Sequence, residues 1–156
     1  MKILKAPTCS RQVWGFYCFQ MLVKLNIEMM KKIINTGNAP APVGPYNQAI
    51  AYNGVLYISG QIAIHPPSGA LITSSIEEET RQVMENIKAI LTEANIDFEA
   101  VIKCSIFVGD MNNYSRINAV YAAYFNEETA PARELVEVAN LPKFVNVEIS
   151  VIAAIG

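Results

Sequence analysis

The chain has 156 residues, of which 52% are apolar and 17% are charged, and its formal net charge is −2. This size and composition predict one compact domain with a buried core and exclude a disordered chain. The near-neutral charge, without any run of like charges, offers no electrostatic footprint for nucleic acid. We therefore expect no nucleic-acid partner.

Histidine and cysteine are too few for several common kinds of site. His65 is the only histidine, and the three cysteines, at positions 9, 18 and 104, are odd in number and scattered. This set fits neither a disulfide framework nor a metal cluster, and a catalytic triad would depend on one histidine. We expect no metal site, and a reducing, cytoplasmic compartment.

The first 28 residues differ from the rest of the chain. They contain basic residues but no acid before Glu28. The apolar run over residues 13–23 is shorter than the roughly 20 residues that a spanning helix needs, and no small-residue cleavage site follows it. We predict an N-terminal extension at residues 1–29 and favour an over-long start or a disordered tail over a targeting segment. A single domain at residues 30–156 follows.

The domain opens with short strands. Residues 32–35 are a predicted first strand, and a segment rich in turn-forming residues follows. Residues 46–52 and 55–59 are predicted strands on either side of Asn53-Gly54, a dipeptide that tolerates the positive φ angles of a tight hairpin. These two strands should therefore pair antiparallel.

A helix with clear start and stop signals comes next. Ser75 and Glu78 have the spacing of a capping box, and acidic residues in the first turn favour the positive end of the helix dipole. Asn95 fits a C-terminal cap. Apolar residues recur at helical spacing between these ends. They are Ile76, Val83, Ile87, Ile90, Leu91 and Ala94.

A strand, a second helix and two further strands complete the chain. Residues 101–108 are rich in β-branched and aromatic residues, as strands are, and residues 113–125 repeat an apolar stripe at helical spacing. Residues 133–139 and 145–153 are the last two predicted strands. This order indicates an α+β fold, a mixed sheet with two helices on one face. The other face of the sheet must meet solvent or another subunit.

The last strand presents two different faces. Apolar residues at alternate positions point to one side, which suits a core. Glu148 lies on the other side, between Asn146 and Ser150. A carboxylate on the helix-free face of the sheet is therefore predicted.

Arg133 and Glu148 are the leading candidates for chemistry. Arginine can hold a carboxylate through two parallel hydrogen bonds, and glutamate is depleted inside strands. On the residues alone, the commoner explanations are that Arg133 is a surface arginine and that Glu148 lies on a solvated outer face of the sheet.

Other candidates also have ordinary explanations. Tyr46 follows a Gly-Pro turn and serves either core packing or ligand binding. Gly60 either lets a ligand approach the backbone or marks a bulge. Asn118, within the second helix, bonds either a substrate or a neighbouring loop. Cys104 alternates with apolar neighbours and is predicted to be a buried, unreactive thiol.

Nine short blocks follow one another through most of the domain. They are APVGPYNQA (41–49), SGQI (59–62), ENIKAI (85–90), VIKCSIFV (101–108), DMNNY (110–114), INAVY (117–121), PAR (131–133), LPK (141–143) and VEI (147–149). Together, and in this order, they resemble the RidA/YjgF/UK114 family of imine deaminases.

The resemblance implies a fold and an activity. The fold would be chorismate-mutase-like, assembled as a homotrimer whose sheets form a central barrel with clefts between subunits. The activity would be hydrolysis of reactive 2-imino acids, such as 2-iminobutanoate and 2-iminopropanoate, to 2-keto acids and ammonia. Arg133 would clamp the substrate carboxylate and Glu148 would position the attacking water. Tyr46, Gly60 and Asn118 would line the cleft, and no cofactor would be required.

One position departs from the family pattern. Many deaminating members carry a cysteine two residues after the key arginine, where this chain has Leu135. Leucine would make the cleft more apolar and could shift the preferred substrate side chain. Glu134 lies between the two, and strand alternation should direct it away from Arg133.

Three other functions stay open at this point. A non-catalytic 2-keto acid-binding protein would use the same Arg133 clamp, although Glu148 favours catalysis. A ribonuclease or translation inhibitor is disfavoured by the absence of a basic stripe. A chaperone-like trimer would depend on neither Arg133 nor Glu148. No membrane partner is expected.

Overall fold

The computed structural model describes residues 30–156; the predicted extension lies outside the described residues. In this part of the chain a six-stranded sheet carries two α-helices. The strands are β1 (Lys32–Ile34), β2 (Ala49–Tyr52), β3 (Val55–Gln61), β4 (Val101–Val108), β5 (Ala132–Glu137) and β6 (Val147–Ala154), and the helices are α1 (Ile76–Glu93) and α2 (Tyr114–Ala122). Short 3₁₀ turns lie at Phe98–Ala100, Met111–Asn113 and Pro142–Phe144.

The sheet order is β1-β2-β3-β6-β4-β5. Every neighbouring pair is antiparallel except β4 and β5, which are parallel and are joined through α2. The predicted α+β class with a mixed sheet and two helices is confirmed. Strand β5 is an edge strand, so its outer backbone edge has no sheet partner within the described chain.

Helix α1 begins and ends where the sequence predicts. The Ser75 hydroxyl accepts a hydrogen bond from the backbone N–H of Glu78 at 3.2 Å, and this satisfies one of the free N–H groups of the first turn. Asn95 adopts the left-handed conformation, with φ of 60°, just beyond the last turn. None of the described helices is long and apolar enough to cross a membrane.

The hairpin prediction is also confirmed. Asn53 and Gly54 have φ angles of 51° and 73°, and Tyr52 pairs with Val55 across the turn. Strand β2 begins three residues later than predicted because Gln48 is engaged elsewhere. Its side-chain amide donates to three backbone carbonyls, of Thr36, Ala39 and Pro40, at 2.9–3.1 Å.

The two faces of the sheet differ as the alternation in β6 predicts. Val147, Ile149 and Val151 are buried beneath the helices, whereas Glu148 on the opposite face is only half-buried. The helix-free face is nevertheless partly apolar. Ile33 and Tyr57 are 53% and 48% exposed there. The strand register places Ile50 between them and Ile152 beyond Tyr57, so the four residues form one row across the sheet.

Candidate active site

Arg133 is held by side chains of helix α2. Its Nη1 donates to Asn118 Oδ1 at 2.6 Å, and its Nη2 donates to the Tyr114 hydroxyl at 3.1 Å. The guanidinium carbon lies 5.0 Å from the ring centroid of Tyr121 and 5.8 Å from that of Tyr114. Both distances are within the range of cation–π attraction. Arg133 is thus fixed in one direction by four contacts.

The guanidinium keeps hydrogen-bonding capacity. Arginine has five N–H donors, and Asn118 and Tyr114 engage one on each terminal nitrogen. Arg133 lines a cavity of about 680 Å³ together with Asn118, Tyr121 and Phe125. We name it the Arg133 cavity. A carboxylate entering it can accept two hydrogen bonds from the remaining donors.

Glu148 lies in a second cavity, on the other face of the sheet. This cavity of about 450 Å³ is the Glu148 cavity, and Tyr46, Gly60 and Lys143 also line it. Burial raises the pKa of Glu148 above the ordinary glutamate value. A carboxylate with a raised pKa is a better proton acceptor than a solvated one.

Gly60 is required by the position of Glu148. An alanine side chain at position 60 would overlap the Glu148 carboxylate and approach its Cδ to 2.8 Å. The glycine therefore lets the carboxylate lie against the backbone of β3, beside the irregular register between Ile58 and Gln61.

Tyr46 is oriented by its own turn. The backbone N–H of Tyr46 donates to the Gly44 carbonyl at 2.8 Å, and the Tyr46 hydroxyl accepts from the Val43 N–H at 3.3 Å. The side chain is 45% exposed. It forms part of the wall of the Glu148 cavity and is not core packing.

Arg133 and Glu148 do not meet within one chain. Cys104 of β4 is paired with Arg133 on one side and Val151 on the other, and this row faces the helices. Phe107 is paired with Val136 and Glu148, and this row faces away from the helices. The six predicted site residues are thus divided between the two faces of the sheet.

The predicted site residues are distributed as follows. Tyr46, Gly60 and Glu148 line one cavity, whereas Asn118 and Arg133 line the other. Leu135 lines neither cavity; it is partly buried at the margin of the core, in register with Ile106.

The charged side chain next to Arg133 in the sequence lies on the other face of the sheet. Glu134 points to the opposite face, as predicted, where it bonds Ser105 and lies 3.1 Å from Lys103 Nζ. These contacts lower the pKa of Glu134. Cys104 lies buried near Arg133, as predicted, and burial raises the pKa of its thiol to about 11, which disfavours the reactive thiolate.

Several site residues were missed by the sequence analysis. Tyr114 and Tyr121 lie within residues 113–125, where the sequence predicted only an apolar helical stripe, yet both contact Arg133. Their spacing with Asn118, four and three residues apart, is the signal that could have identified a face directed at one partner. Lys143 has a φ of 57°, which no local pattern predicts.

Glu79 is another residue that the sequence analysis missed. It is fully buried, and its carboxylate accepts hydrogen bonds from the backbone N–H of Asn146 at 2.6 Å, the Asn146 side-chain amide at 2.8 Å and the Val147 N–H at 3.3 Å. Glu79 thereby ties helix α1 to Asn146 and Val147, the two residues that immediately precede Glu148. Among residues 30–156, no three His, Cys, Asp or Glu side chains converge to hold a metal ion.

Comparison with known proteins identifies the family. The family model described as Endoribonuclease L-PSP matches residues 36–155. The chain belongs to the RidA/YjgF family. It is 50% identical over 128 residues to a RutC family protein from Synechocystis, a match covering 81% of this chain and 98% of that protein.

Two further comparisons concern activity and fold. The chain is 43% identical over 128 residues to a protein from Bos taurus named 2-iminobutanoate/2-iminopropanoate deaminase, a match covering 82% of this chain and 93% of that protein. The YjgF gene product from E. coli is 41% identical in sequence, and its crystal structure matches with a TM-score of 0.74. The match covers 79% of this chain and 98% of that one. The described domain therefore has the YjgF fold.

Proposed function

We propose that the protein hydrolyses reactive 2-imino acids, such as 2-iminobutanoate and 2-iminopropanoate, to 2-keto acids and ammonia. The observation that carries the proposal is the chemistry of the two cavities: one offers an oriented guanidinium, and the other offers a half-buried carboxylate whose pKa burial raises. The bovine relative's name supports the same activity.

The two groups suffice for the reaction. Arg133 binds the substrate carboxylate and fixes the position of the adjacent iminium carbon. Glu148 accepts a proton from a water molecule as the water oxygen bonds to that carbon and the C=N π electrons move to nitrogen. Glu148 then returns the proton to the amine, and the C–N bond breaks as an oxygen electron pair forms the C=O bond. Glu148 takes up the hydroxyl proton in this step and passes it to the departing ammonia, so the products are the 2-keto acid and ammonium. A protonated imine is already electrophilic, so orientation and a placed water are the main requirements.

A complete site on this proposal needs two copies of the chain. Arg133 and Glu148 lie on opposite faces of the sheet, so a neighbouring copy must bring its Arg133 cavity to the Glu148 cavity of the first. The exposed apolar row at Ile33 and Tyr57 on the helix-free face supports such packing, because apolar surface of this kind is commonly covered by a partner. We propose the homotrimer that the resemblance implies, with sites between subunits.

The Glu148 cavity suits a small apolar substrate side chain. Its wall includes Val43, Ile62, Ile64 and Pro142, and these residues offer no hydrogen-bonding side-chain group to a polar substituent. This apolar part of the wall suits the ethyl and methyl groups of 2-iminobutanoate and 2-iminopropanoate.

A coupled assay tests the proposal. A threonine or serine dehydratase generates the imine, and semicarbazide traps what escapes hydrolysis. Wild type should suppress trapping, whereas Arg133→Ala and Glu148→Gln should not. The matched controls are Arg81→Ala and Glu78→Gln, since this exposed pair lies 3.8 Å apart on the surface of α1 and should leave the suppression unchanged. Trapping that pure wild type fails to suppress would contradict the proposal.

A second candidate is binding of a 2-keto acid without turnover. The Arg133 cavity favours it, because an oriented guanidinium could hold a carboxylate without help from Glu148. The two functions differ in one result. Under this alternative wild type would bind 2-oxobutanoate in calorimetry, Arg133→Ala would not, and no variant would suppress imine trapping.

A further inference from the structure

One face of helix α2 is directed at Arg133. Tyr114, Asn118 and Tyr121 occupy positions i, i+4 and i+7, which lie one above another on a helix. Each contacts the guanidinium: Tyr114 through its hydroxyl and ring, Asn118 through its amide oxygen, and Tyr121 through its ring. The arginine comes from β5, so these contacts join the edge strand to the helix.

Tyr114 differs from the other two in what it can do. It is 41% exposed and is not part of the wall of either cavity, so a change at its hydroxyl leaves the core and both cavity walls intact. Its hydroxyl makes one hydrogen bond, at 3.1 Å, to Nη2 of Arg133. Because Asn118 holds Nη1, the two bonds together fix the rotation of the guanidinium plane.

We propose that Tyr114 is a positioning residue: its hydroxyl holds the Arg133 guanidinium in the orientation that receives a substrate carboxylate. The substrate-binding role of Arg133 in this inference rests on the proposed function. A phenylalanine would keep the ring and its cation–π contact but would leave Nη2 without its acceptor. Arg133 would then sample other directions, and substrate would bind less tightly with an unchanged chemical step.

Tyr121 is a poorer probe of the same idea. It is only 6% exposed, and its hydroxyl has no hydrogen-bond partner within the described part of the chain. Its ring packs against Phe125 at a centroid distance of 4.7 Å. Substitution at this position would disturb the core, so a loss of activity there would not separate positioning from folding.

The first test compares Tyr114→Phe with Tyr124→Phe. The Tyr124 hydroxyl donates to Glu85 at 2.8 Å, so the control removes one tyrosine hydroxyl next to the same helix without touching Arg133. In the coupled assay we expect Tyr114→Phe to raise KM about five- to tenfold, the usual net effect of losing one hydrogen bond, with kcat within about twofold. Tyr124→Phe should leave both constants unchanged, and Tyr114→Phe should keep the wild-type Tm.

The second test does not depend on activity. The sequence has four arginines, at positions 11, 81, 116 and 133, so protein labelled with ¹⁵N- and ¹³C-arginine gives few side-chain signals, and Arg133→Lys assigns the relevant one. We expect slow rotation of the Arg133 guanidinium in wild type and Tyr124→Phe, and faster rotation in Tyr114→Phe.

The two tests together separate the possible failures. Equal guanidinium rotation in wild type and Tyr114→Phe would overturn the proposal whether or not the protein is a deaminase. An unchanged KM in an active Tyr114→Phe enzyme would overturn it as well. If wild type does not hydrolyse imines, the proposed function fails, and the rotation measurement still decides whether Tyr114 holds Arg133.

Discussion

The two halves of the candidate site are built in different ways. The Arg133 half is made of side chains, since Asn118, Tyr114 and Tyr121 of one helix orient the guanidinium. The Glu148 half is made largely of backbone, since the carboxylate lies against Gly60 in a neighbouring strand. Activity should therefore fall gradually as the contacts of Arg133 are removed one at a time. It should be lost when a single Cβ atom is added at Gly60.

Gly60→Ala should give the largest effect. The added Cβ would displace the Glu148 carboxylate, and because that side chain can rotate away, the fold should survive. We expect imine hydrolysis to fall at least about 100-fold, as it does when a catalytic group moves by about 1 Å. Gly37→Ala is the matched control, since its Cβ would meet nothing within 4 Å. Equal activity in the two variants would show that Glu148 does not act from this position.

Glu79→Ala should cost the most stability. The change leaves the Asn146 and Val147 donors at the start of β6 without their buried acceptor. We expect a loss of about 3 kcal/mol in the free energy of unfolding, measured in urea, because unsatisfied buried polar groups are expensive.

The matched variant for this position is Glu79→Gln. Its amide oxygen can accept the two backbone N–H bonds, and the Asn146 amide can flip to accept from the new NH₂ group. Most of the stability should therefore return. A Glu79→Gln protein as unstable as Glu79→Ala would mean that the negative charge itself, and not the acceptor geometry, holds β6.

The pH profile should show the raised pKa of Glu148. As the proposed base, Glu148 must be ionised, so kcat/KM should fall on acidification through a pKa above the ordinary glutamate value of about 4.3. A profile flat down to that value would contradict the assignment, while Glu134→Gln should leave the acid limb in place because Glu134 faces neither cavity.

The stability contributed by Glu148 should fall as pH rises, which is opposite to the pH dependence of activity. The effect should be small. Its pKa is higher in the folded than in the unfolded chain. Its contribution to stability is therefore greatest below the unfolded pKa and is lost as pH rises through the folded pKa. Glu148→Gln should gain stability relative to wild type between pH 4 and pH 7, by urea unfolding at each pH. A relative loss over that interval would contradict this sign, because it would mean that the folded protein stabilises the ionised carboxylate.

Local signals predicted most of the fold. The Asn53-Gly54 turn and the Ser75 cap could be predicted because a turn and a helix start depend on residues only a few positions apart. Glu148 was found the same way, since strand alternation alone assigns it to the face opposite the core.

Contacts between distant residues could not be predicted in this way. The bond between Arg133 and Tyr114 spans 19 residues and depends on how α2 lies against β5. Glu79 resembled an ordinary acid in the first turn of a helix, although its spacing from Ile76 and Val83 places it on the buried stripe. The division of the site between two faces also required the register of β4 with both neighbours.

A subunit-mixing experiment tests the central claim that a working site takes Arg133 from one copy and Glu148 from another. Arg133→Ala and Glu148→Gln proteins, each inactive alone, are unfolded together, refolded in equal amounts and assayed. If the two residues come from different subunits, about a quarter of the sites in a random assembly regain both intact residues, and activity returns to that level. If both residues of each site belonged to one chain, no mixed assembly could contain an intact site. The mixture would then stay as inactive as its components, which would contradict the account.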